Sequence, residues 1–201
     1  MSIENRAEGL DPSVFVHPMG LCESDKVGPR TRIWAFAHVL QGAEVGADCN
    51  VGDHAFIEGG ARLGDRVTVK NAVLVWDRVT VEDEVFLGPN MVFTNAVAPR
   101  VGFRKPPEQL VPTLVRHGAT VGANATVVCG VTIGRHAFVA AGAVVVRDVA
   151  DHALVAGNPA RRLGWACTCG QRLGEGLACG CGRRYRLVDE TAGLAALAVP
   201  G

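Results

Sequence analysis

Residues 27–69, VGPRTRIWAFAHVLQGAEVGADCNVGDHAFIEGGARLGDRVTV, decide how this chain folds. Every sixth residue is apolar: Val27, Ile33, Val39, Val45, Val51, Ile57, Leu63 and Val69. The register runs back to Leu21 and on through Val75, Val81, Leu87 and Phe93, then breaks and resumes at Val115, Val121, Val127, Ile133, Val139 and Val145. Four residues after an apolar position the side chain is usually small, as at Ala37, Ala43, Cys49, Ala55, Ala61, Ala119, Ala125, Ala137 and Ala143. A period of six is neither the 3.6 of a helix nor the 2 of a simple strand. Short strands joined by turns and wound as coils satisfy it, each coil stacking on the last at about 4.8 Å. The fold class is therefore all-β, a parallel β-solenoid whose narrow core takes one large and one small side chain per six residues.

The rest of the composition agrees. Apolar residues make up 48% of the 201 and aromatics only 5%, and the 25 glycines follow no collagen triplet. Twenty basic and twenty acidic residues balance without a basic stripe, so no nucleic-acid partner is expected. The longest apolar run, residues 137–146, is too short to span a bilayer, and residues 1–13 lack the apolar core of a signal peptide. No membrane partner and a cytoplasmic location follow as expectations. The domain plan is a flexible N-terminus over 1–13, the β-helix over 14–160 and a C-terminal tail over 161–201. From Phe93 to Val115 is not a multiple of six, so residues 96–113 leave the coil as one extended loop, rich in proline and carrying Arg100, Arg104 and Lys105.

Stacking by eighteen sets Asn95 above Asp77, Asn71 above Asp53 with Lys70 beside it, and Asn90 above Ala72 and His54. These polar groups on neighbouring coils are candidates to bind a polar substrate, with Lys70, Arg100, Arg104 and Lys105 available to a diphosphate or carboxylate. Each taken singly is also what a solvated prism displays. His38 is a candidate to meet a phosphate or to act as a base. In the tail, Cys167, Cys169, Cys179 and Cys181 form C-x-C, nine residues, C-x-C, a set able to hold a structural zinc in a knuckle over 167–181. The alternative is a reduced glycine-rich tail without metal. Residues 189–198, DETAGLAALA, suggest one short helix.

The segments RIWAFAHV (32–39), GPNMVFTNAVAPR (88–100), LVRHGATVGANATVVCGVTIG (114–134) and DVADHALVAGNPARRLGW (148–165) resemble the hexapeptide-repeat acyltransferases, and among them the nucleotide-sugar 3-N-acetyltransferases. The resemblance implies a left-handed winding, a homotrimer with sites between neighbouring prisms, and acetyl-CoA along the groove near the C-terminal coils. It further implies donor contacts from residues 157–162 (Gly157, Asn158, Pro159, Ala160, Arg161 and Arg162), with Ala141 and Gly142 leaving room for the pantetheine arm. Related acetyltransferases often carry a Cys-rich tail of this kind. Members that acetylate hydroxyls have a histidine soon after the GPN coil, where this chain has Asn95. An amine needs less help, because a useful fraction of amino groups with pKa near 8 is neutral at physiological pH. The expected reaction is acetyl transfer to the amine, at C3, of a UDP- or dTDP-linked amino sugar, with Asn95 as the orienting group and His38 the second catalytic candidate.

Three other readings compete. Sugar O-acetylation lacks its histidine. A non-catalytic scaffold leaves the interrupting loop and the GNPAR segment without a purpose. A γ-type carbonic anhydrase needs three zinc-binding histidines, two of them close together, and no two of His17, His38, His54, His117, His136 and His152 are close.

Overall fold

A computed structural model describes residues 5–103, 106 and 109–197. The chain is a left-handed parallel β-helix whose three faces are three parallel sheets. The first face stacks Phe15–Val16, Arg32–Ile33, Asn50–Val51, Thr68–Val69, Phe86–Leu87, Thr120–Val121, Phe138–Val139 and Ala153–Ala156. The second runs from Leu21–Cys22 through His38–Val39, Phe56–Ile57, Leu74–Val75, Val92–Phe93 and Thr126–Val127 to Val144–Val145. The third holds Glu44–Val45, Arg62–Leu63, Val79–Val81, Thr113–Val115 and Thr132–Ile133.

Each two-residue strand turns one side chain in and one out, which is why the sixth-residue pattern is so regular. Of the nineteen positions read from the sequence, eighteen are buried, Leu21 being the exception, and the nine small positions are buried with them. β-branched valine and isoleucine suit this pleated, half-buried surface, and alanine between them lets the three sheets approach. No helix of the described residues is long and apolar enough to cross a membrane.

The chain turns at three corners. At the first, between the third face and the first face of the next coil, Arg30, Asp48, Arg66, Glu84, Gly118, His136 and His152 stack one per coil with φ between +53° and +68°. At the second, between the first and second faces, Phe36, His54, Ala72, Asn90, Asn124 and Gly142 do the same. The third corner, between the second and third faces, carries Gly42, Gly60, Arg78 and Gly130. A non-glycine residue in this left-handed region costs about 1–2 kcal/mol. What offsets the cost is a hydrogen bond from its N–H to the coil below, as from Arg66 to Ala47 O (2.8 Å) and Asn90 to Asn71 O (3.0 Å).

Five sequence expectations are corrected. Leu21 is half-buried and Cys22 takes the inward place, because the first coil is one residue short: Cys22 pairs with Val39 and Val16 with Ile33. The N-terminal segment is tied down from Asn5 onward, Arg6 bridging to Cys22 and Leu10 lying in the core. Thr113, expected to be the last loop residue, is already in a strand opposite Val79. The solenoid does not end at residue 160, since Arg161–Trp165 turns back antiparallel on Ala153–Ala156. Finally, the tail forms no helix over 189–198. Tyr185–Asp189 and Gly193–Ala196 make an antiparallel hairpin instead, and the apolar helix-formers are overridden by the docking of Gly193, whose φ is +90°, against Asp151.

Candidate active site and thiolate cluster

The first corner is closed by its own charges. Arg30 clasps Asp48 through two hydrogen bonds (2.7 and 2.6 Å), and Arg66 pairs with Glu84 at 3.0 Å. The Arg30 guanidinium holds the Asp48 carboxyl below its usual range. Asp65 Oδ1 accepts the Ala47 N–H (2.8 Å) and Asp83 Oδ1 the Asp65 N–H (2.9 Å). Farther up, His117 meets the His136 ring edge-on at 5.2 Å between centroids, and His136 lies tilted over His152 at 5.1 Å. Burial, with help from the neighbouring histidines, pushes His136 down to about 4.

The second corner is bare by comparison. Among the described residues no side-chain hydrogen bond is made by His54, Asn71, Asn90 or Asn124, although His54 stacks on Phe36 at 4.8 Å. The column climbs from His54 through Ala72, Asn90 and Asn124 to Gly142, where nothing lies within 4 Å of the place a Cβ would occupy. Immediately above, residues 157–160 fold over the same edge: Gly157 O accepts the Val144 N–H (2.9 Å) and the Ala160 N–H donates to Val144 O (2.8 Å). Ala141, Gly142 and Gly157, Asn158, Pro159 and Ala160 thus sit together at the upper end of one polar edge, with Asn71, Lys70, Asn90 and His54 lower on it. Asn124 was missed. It stands over Asn90 at a spacing of 34 rather than 18, because the loop adds sixteen residues to that coil.

The other candidates are elsewhere. Asp77 and Asn95 belong to the third corner, where Glu58 Oε2 accepts the Asp77 N–H (2.8 Å) and Trp76 Nε1 donates to Phe93 O (2.8 Å). His38 lies on the second face in a column with Phe56, Leu74 and Val92. Three layers at about 4.8 Å separate it from Val92, roughly 14 Å in all, so one chain does not bring His38 to Asn95. Its Nε2 is buried and makes no hydrogen bond, with Glu23 Oε1 at 3.4 Å but off the hydrogen-bonding direction. Arg100 is exposed at the loop, while Arg104 and Lys105 lie outside the described residues. Among the described residues the Arg161 side chain bonds only its neighbour's carbonyl, Ala160 O (2.9 Å). Arg162 is already engaged, paired with Glu190 and lying 4.4 Å over the Trp165 ring. Arg32 and Trp34, within the RIWAFAHV segment, line an open groove of about 680 Å³ with Phe15 and Asn50, where Trp34 Nε1 donates to Asn50 Oδ1 (2.8 Å).

A family model described as the hexapeptide repeat of succinyl-transferase matches residues 42–75 and 117–147. The chain is 48% identical over 178 residues, 87% of its length and 92% of the relative's, to the dTDP-3-amino-3,6-dideoxy-alpha-D-galactopyranose 3-N-acetyltransferase of Aneurinibacillus thermoaerophilus. This chain belongs to the hexapeptide-repeat N-acetyltransferases. Two solved structures similar to this acetyltransferase are the acetyltransferase domain of PglB from Neisseria gonorrhoeae and PerB from Caulobacter crescentus in complex with CoA and GDP-perosamine. Both are 23% identical, with TM-scores of 0.48 and 0.47, covering 77% of this chain and 56% of their own.

In its tail, Cys167, Cys169, Cys179 and Cys181 bring all four sulfurs within 4.8 Å of one another. The Cys167–Cys181 and Cys169–Cys179 separations are 3.6 and 3.5 Å. Zinc–thiolate bonds of about 2.3 Å at tetrahedral angles separate sulfurs by about 3.8 Å, so the set fits a tetrathiolate ion. The Arg183 N–H and guanidinium draw Cys181 down to about 6, while burial and the neighbouring thiols push Cys179 up to about 12. A signal passed over in the sequence explains the convergence: ACTCGQRL (166–173) and ACGCGRRY (178–185) are one motif repeated after twelve residues. Each copy folds alike, with bridges Ala166–Arg172 and Ala178–Arg184, and with Gly170 and Gly182 at φ +85° and +90°.

Proposed function

We propose that this enzyme transfers the acetyl group of acetyl-CoA to the 3-amino group of a dTDP-linked 3-amino-6-deoxyhexose. The observation that carries the reading is the 48% identity, over nearly the whole of both chains, to an enzyme named for that reaction. The polar edge agrees with it. The donor lies at the upper end, its pantetheine passing Gly142 and its phosphates meeting Arg161, with Arg162 engaged in-chain. The sugar nucleotide lies below, among Asn124, Asn90, Asn71, His54 and Lys70, with Arg100 available to its diphosphate. The neutral amine attacks the thioester carbon, the C–S bond breaks, and the ammonium proton passes to the departing thiolate, so the step needs positioning more than a strong base.

Asn95 and Asp77 belong to another corner of the prism, and His38 is three coils below Asn95. A site using these groups together with the polar edge is completed by a neighbouring copy, so we read the enzyme as a homotrimer. Val97, Val101 and Phe103 support this, being exposed at 65, 97 and 80% on the loop, far more than large apolar side chains tolerate alone. We place the reaction in the cytoplasm, the compartment that keeps seven free thiols reduced. The four tail cysteines are read as holding one zinc ion, which supplies cross-linking and no chemistry.

Release of CoA thiol from acetyl-CoA, measured across dTDP- and UDP-linked 3-amino and 4-amino sugars, tests the reading. Turnover is expected with the dTDP-linked 3-amino sugars and to fall sharply in Asn95→Ala. Turnover confined to hydroxyl acceptors would sink it.

A further inference from the structure

The thiolate cluster is no isolated appendage, because it is tied both to His152 and Asp151 at the first corner and to the strand Arg161–Trp165 that follows the 157–160 turn. Ala166, the residue before the first cysteine, gives its N–H to His152 O (2.7 Å) and its carbonyl to His152 Nδ1 (2.9 Å). Tyr185, which closes the second copy of the motif, bonds Cys167 Sγ at 3.1 Å and packs its ring 4.8 Å from that of His152. The hairpin begun by Tyr185 then returns to the solenoid. Leu194 N–H donates to Asp151 O (3.2 Å), Asp151 N–H donates to Ala192 O (3.3 Å), and Glu190 pairs with Arg162. The strand Arg161–Trp165 is therefore gripped from two sides. Ala153–Ala156 holds one, and the first knuckle holds the other through Leu173 N–H to Trp165 O (2.8 Å) and Arg172 Nη2 to Leu163 O (2.9 Å).

Little else holds the knuckles. Their buried cluster is Cys167, Leu173, Cys179, Tyr185 and Leu194, and two of these five are cysteines of the set. A core so small does not order forty residues unaided, and structural metals are the usual supplement. Four sulfurs this close, once ionised, repel one another unless a cation sits among them.

We propose that metal binding at the four thiolates is what clamps the strand Arg161–Trp165 and the adjoining 157–160 turn, so that metal loading and CoA binding are thermodynamically linked. The inference rests on the zinc and donor-end readings above and adds the coupling between them. Glu190 and Arg162 act as positioning residues: they join the hairpin to the strand that carries Arg161. Linkage requires reciprocity, so CoA must tighten metal binding by the factor by which metal tightens CoA binding.

The test uses the full-length protein kept reduced, with zinc content, amide hydrogen exchange and CoA affinity as readouts. One zinc per chain is expected. After chelation, exchange should quicken in 161–165 and 185–196 while the coils of residues 32–93 stay protected, and the CoA dissociation constant should rise about tenfold, restored by zinc. Glu190→Gln and Gly193→Ala separate the coupling from any general unfolding on chelation. In the second, the new Cβ would stand 2.1 Å from Asp151 O and push the hairpin away with all four cysteines intact. Both should keep zinc, expose 161–165 and weaken CoA binding several-fold. A metal-free protein whose strand stays protected and whose CoA affinity is unchanged would overturn the coupling and leave the zinc site standing. Tighter CoA binding in Glu190→Gln would overturn it too, by making Glu190 a competitor for the donor phosphates. Failure of the reduced protein to bind zinc at all would overturn the zinc reading, and the coupling with it.

Discussion

Two corners of the same prism use one backbone conformation for opposite ends. At the first, residues with φ near +60° are Arg30, Asp48, Arg66 and Glu84, each tied to the coil above or below by an ion pair. At the second, the equivalent residues are Phe36, His54, Ala72, Asn90 and Asn124, whose side chains have no hydrogen-bond partner among the described residues. The left-handed turn is needed at both for the chain to bend, and its strain is offset at both by the same N–H to carbonyl bond. What differs is whether the side chain is used up within the protein. A polar ladder left unpaired in an otherwise well-bonded solenoid is where ligand atoms find partners without first breaking protein contacts.

The largest expected effect breaks the comparison at the ladder itself. Asn90→Ala with Asn124→Ala should lower kcat/KM for the amino-sugar acceptor by about 100-fold through misplacement of the reacting groups, with the melting temperature falling by only a few degrees because alanine takes φ near +57° less readily than asparagine. The matching double replacement at Arg66 and Glu84 should leave kcat/KM alone. Equal losses from the two corners, measured by the CoA-release assay, would mean that the second corner is only surface.

Two glycines sharpen the contrast next. Gly118 and Gly142 have nearly the same φ, +68° and +70°. A Cβ on Gly118 would come within 2.2 Å of His136 Nδ1, and that ring is held between His117 and His152, whereas a Cβ on Gly142 meets nothing. Gly118→Ala should therefore cost roughly 2–3 kcal/mol, strain and overpacking together, and Gly142→Ala only about 1 kcal/mol. In exchange, Gly142→Ala should raise the KM for acetyl-CoA while Gly118→Ala does not. Urea unfolding midpoints and donor titrations read the two halves separately.

The repeat made most of this fold legible, since one large and one small inward residue per six leaves no other packing. It failed where two neighbouring residues served equally well. Leu21 and Cys22 are both apolar, and only the short first coil decides for Cys22. It failed again where tertiary contact overrode local preference, as when the Asp151 dock of Gly193 turned a helix-like DETAGLAALA into a hairpin. On the second corner, stacking by eighteen placed Asn90 in the column of His54 but missed Asn124, because the inserted loop changes the spacing. The same arithmetic, carried three coils down from Val92, would have parted His38 from Asn95 at once. The four cysteines were legible as one clustered set, but their convergence came from the twelve-residue repeat that the hexapeptide period overshadowed.

The histidine stack on the first corner gives a smaller effect. His136 is held near 4 in the folded chain against 6.5 when unfolded, chiefly by burial. Above pH 6.5 both states are neutral there and nothing is lost. Between 6.5 and about 4 the unfolded state takes up a proton that the folded state refuses, so stability falls as pH falls through that window. His152, also lowered by burial, adds in the same direction. The urea midpoint should drop from pH 7.5 to pH 5, and His136→Asn, which suits the left-handed φ of +53°, should flatten that drop. An acid sensitivity unchanged in the variant would assign it to other groups.

The smallest effect separates the ion pairs of the first corner from its backbone. Arg66 and Glu84 are about half exposed, 52 and 47%, and exposed pairs contribute little. Arg66→Ala keeps the strained φ of +55° and loses the pair, so its melting temperature should fall by no more than about 3 °C. Arg66→Gly loses the same pair but relieves the strain, and should melt at or above the parent temperature. Added salt should erase the deficit of the alanine variant and leave the glycine variant ahead. Were the two variants to melt together, the left-handed turns of this prism would carry no strain worth relieving, and the choice of charged residues at one corner and bare asparagines at the other would rest on their side chains alone.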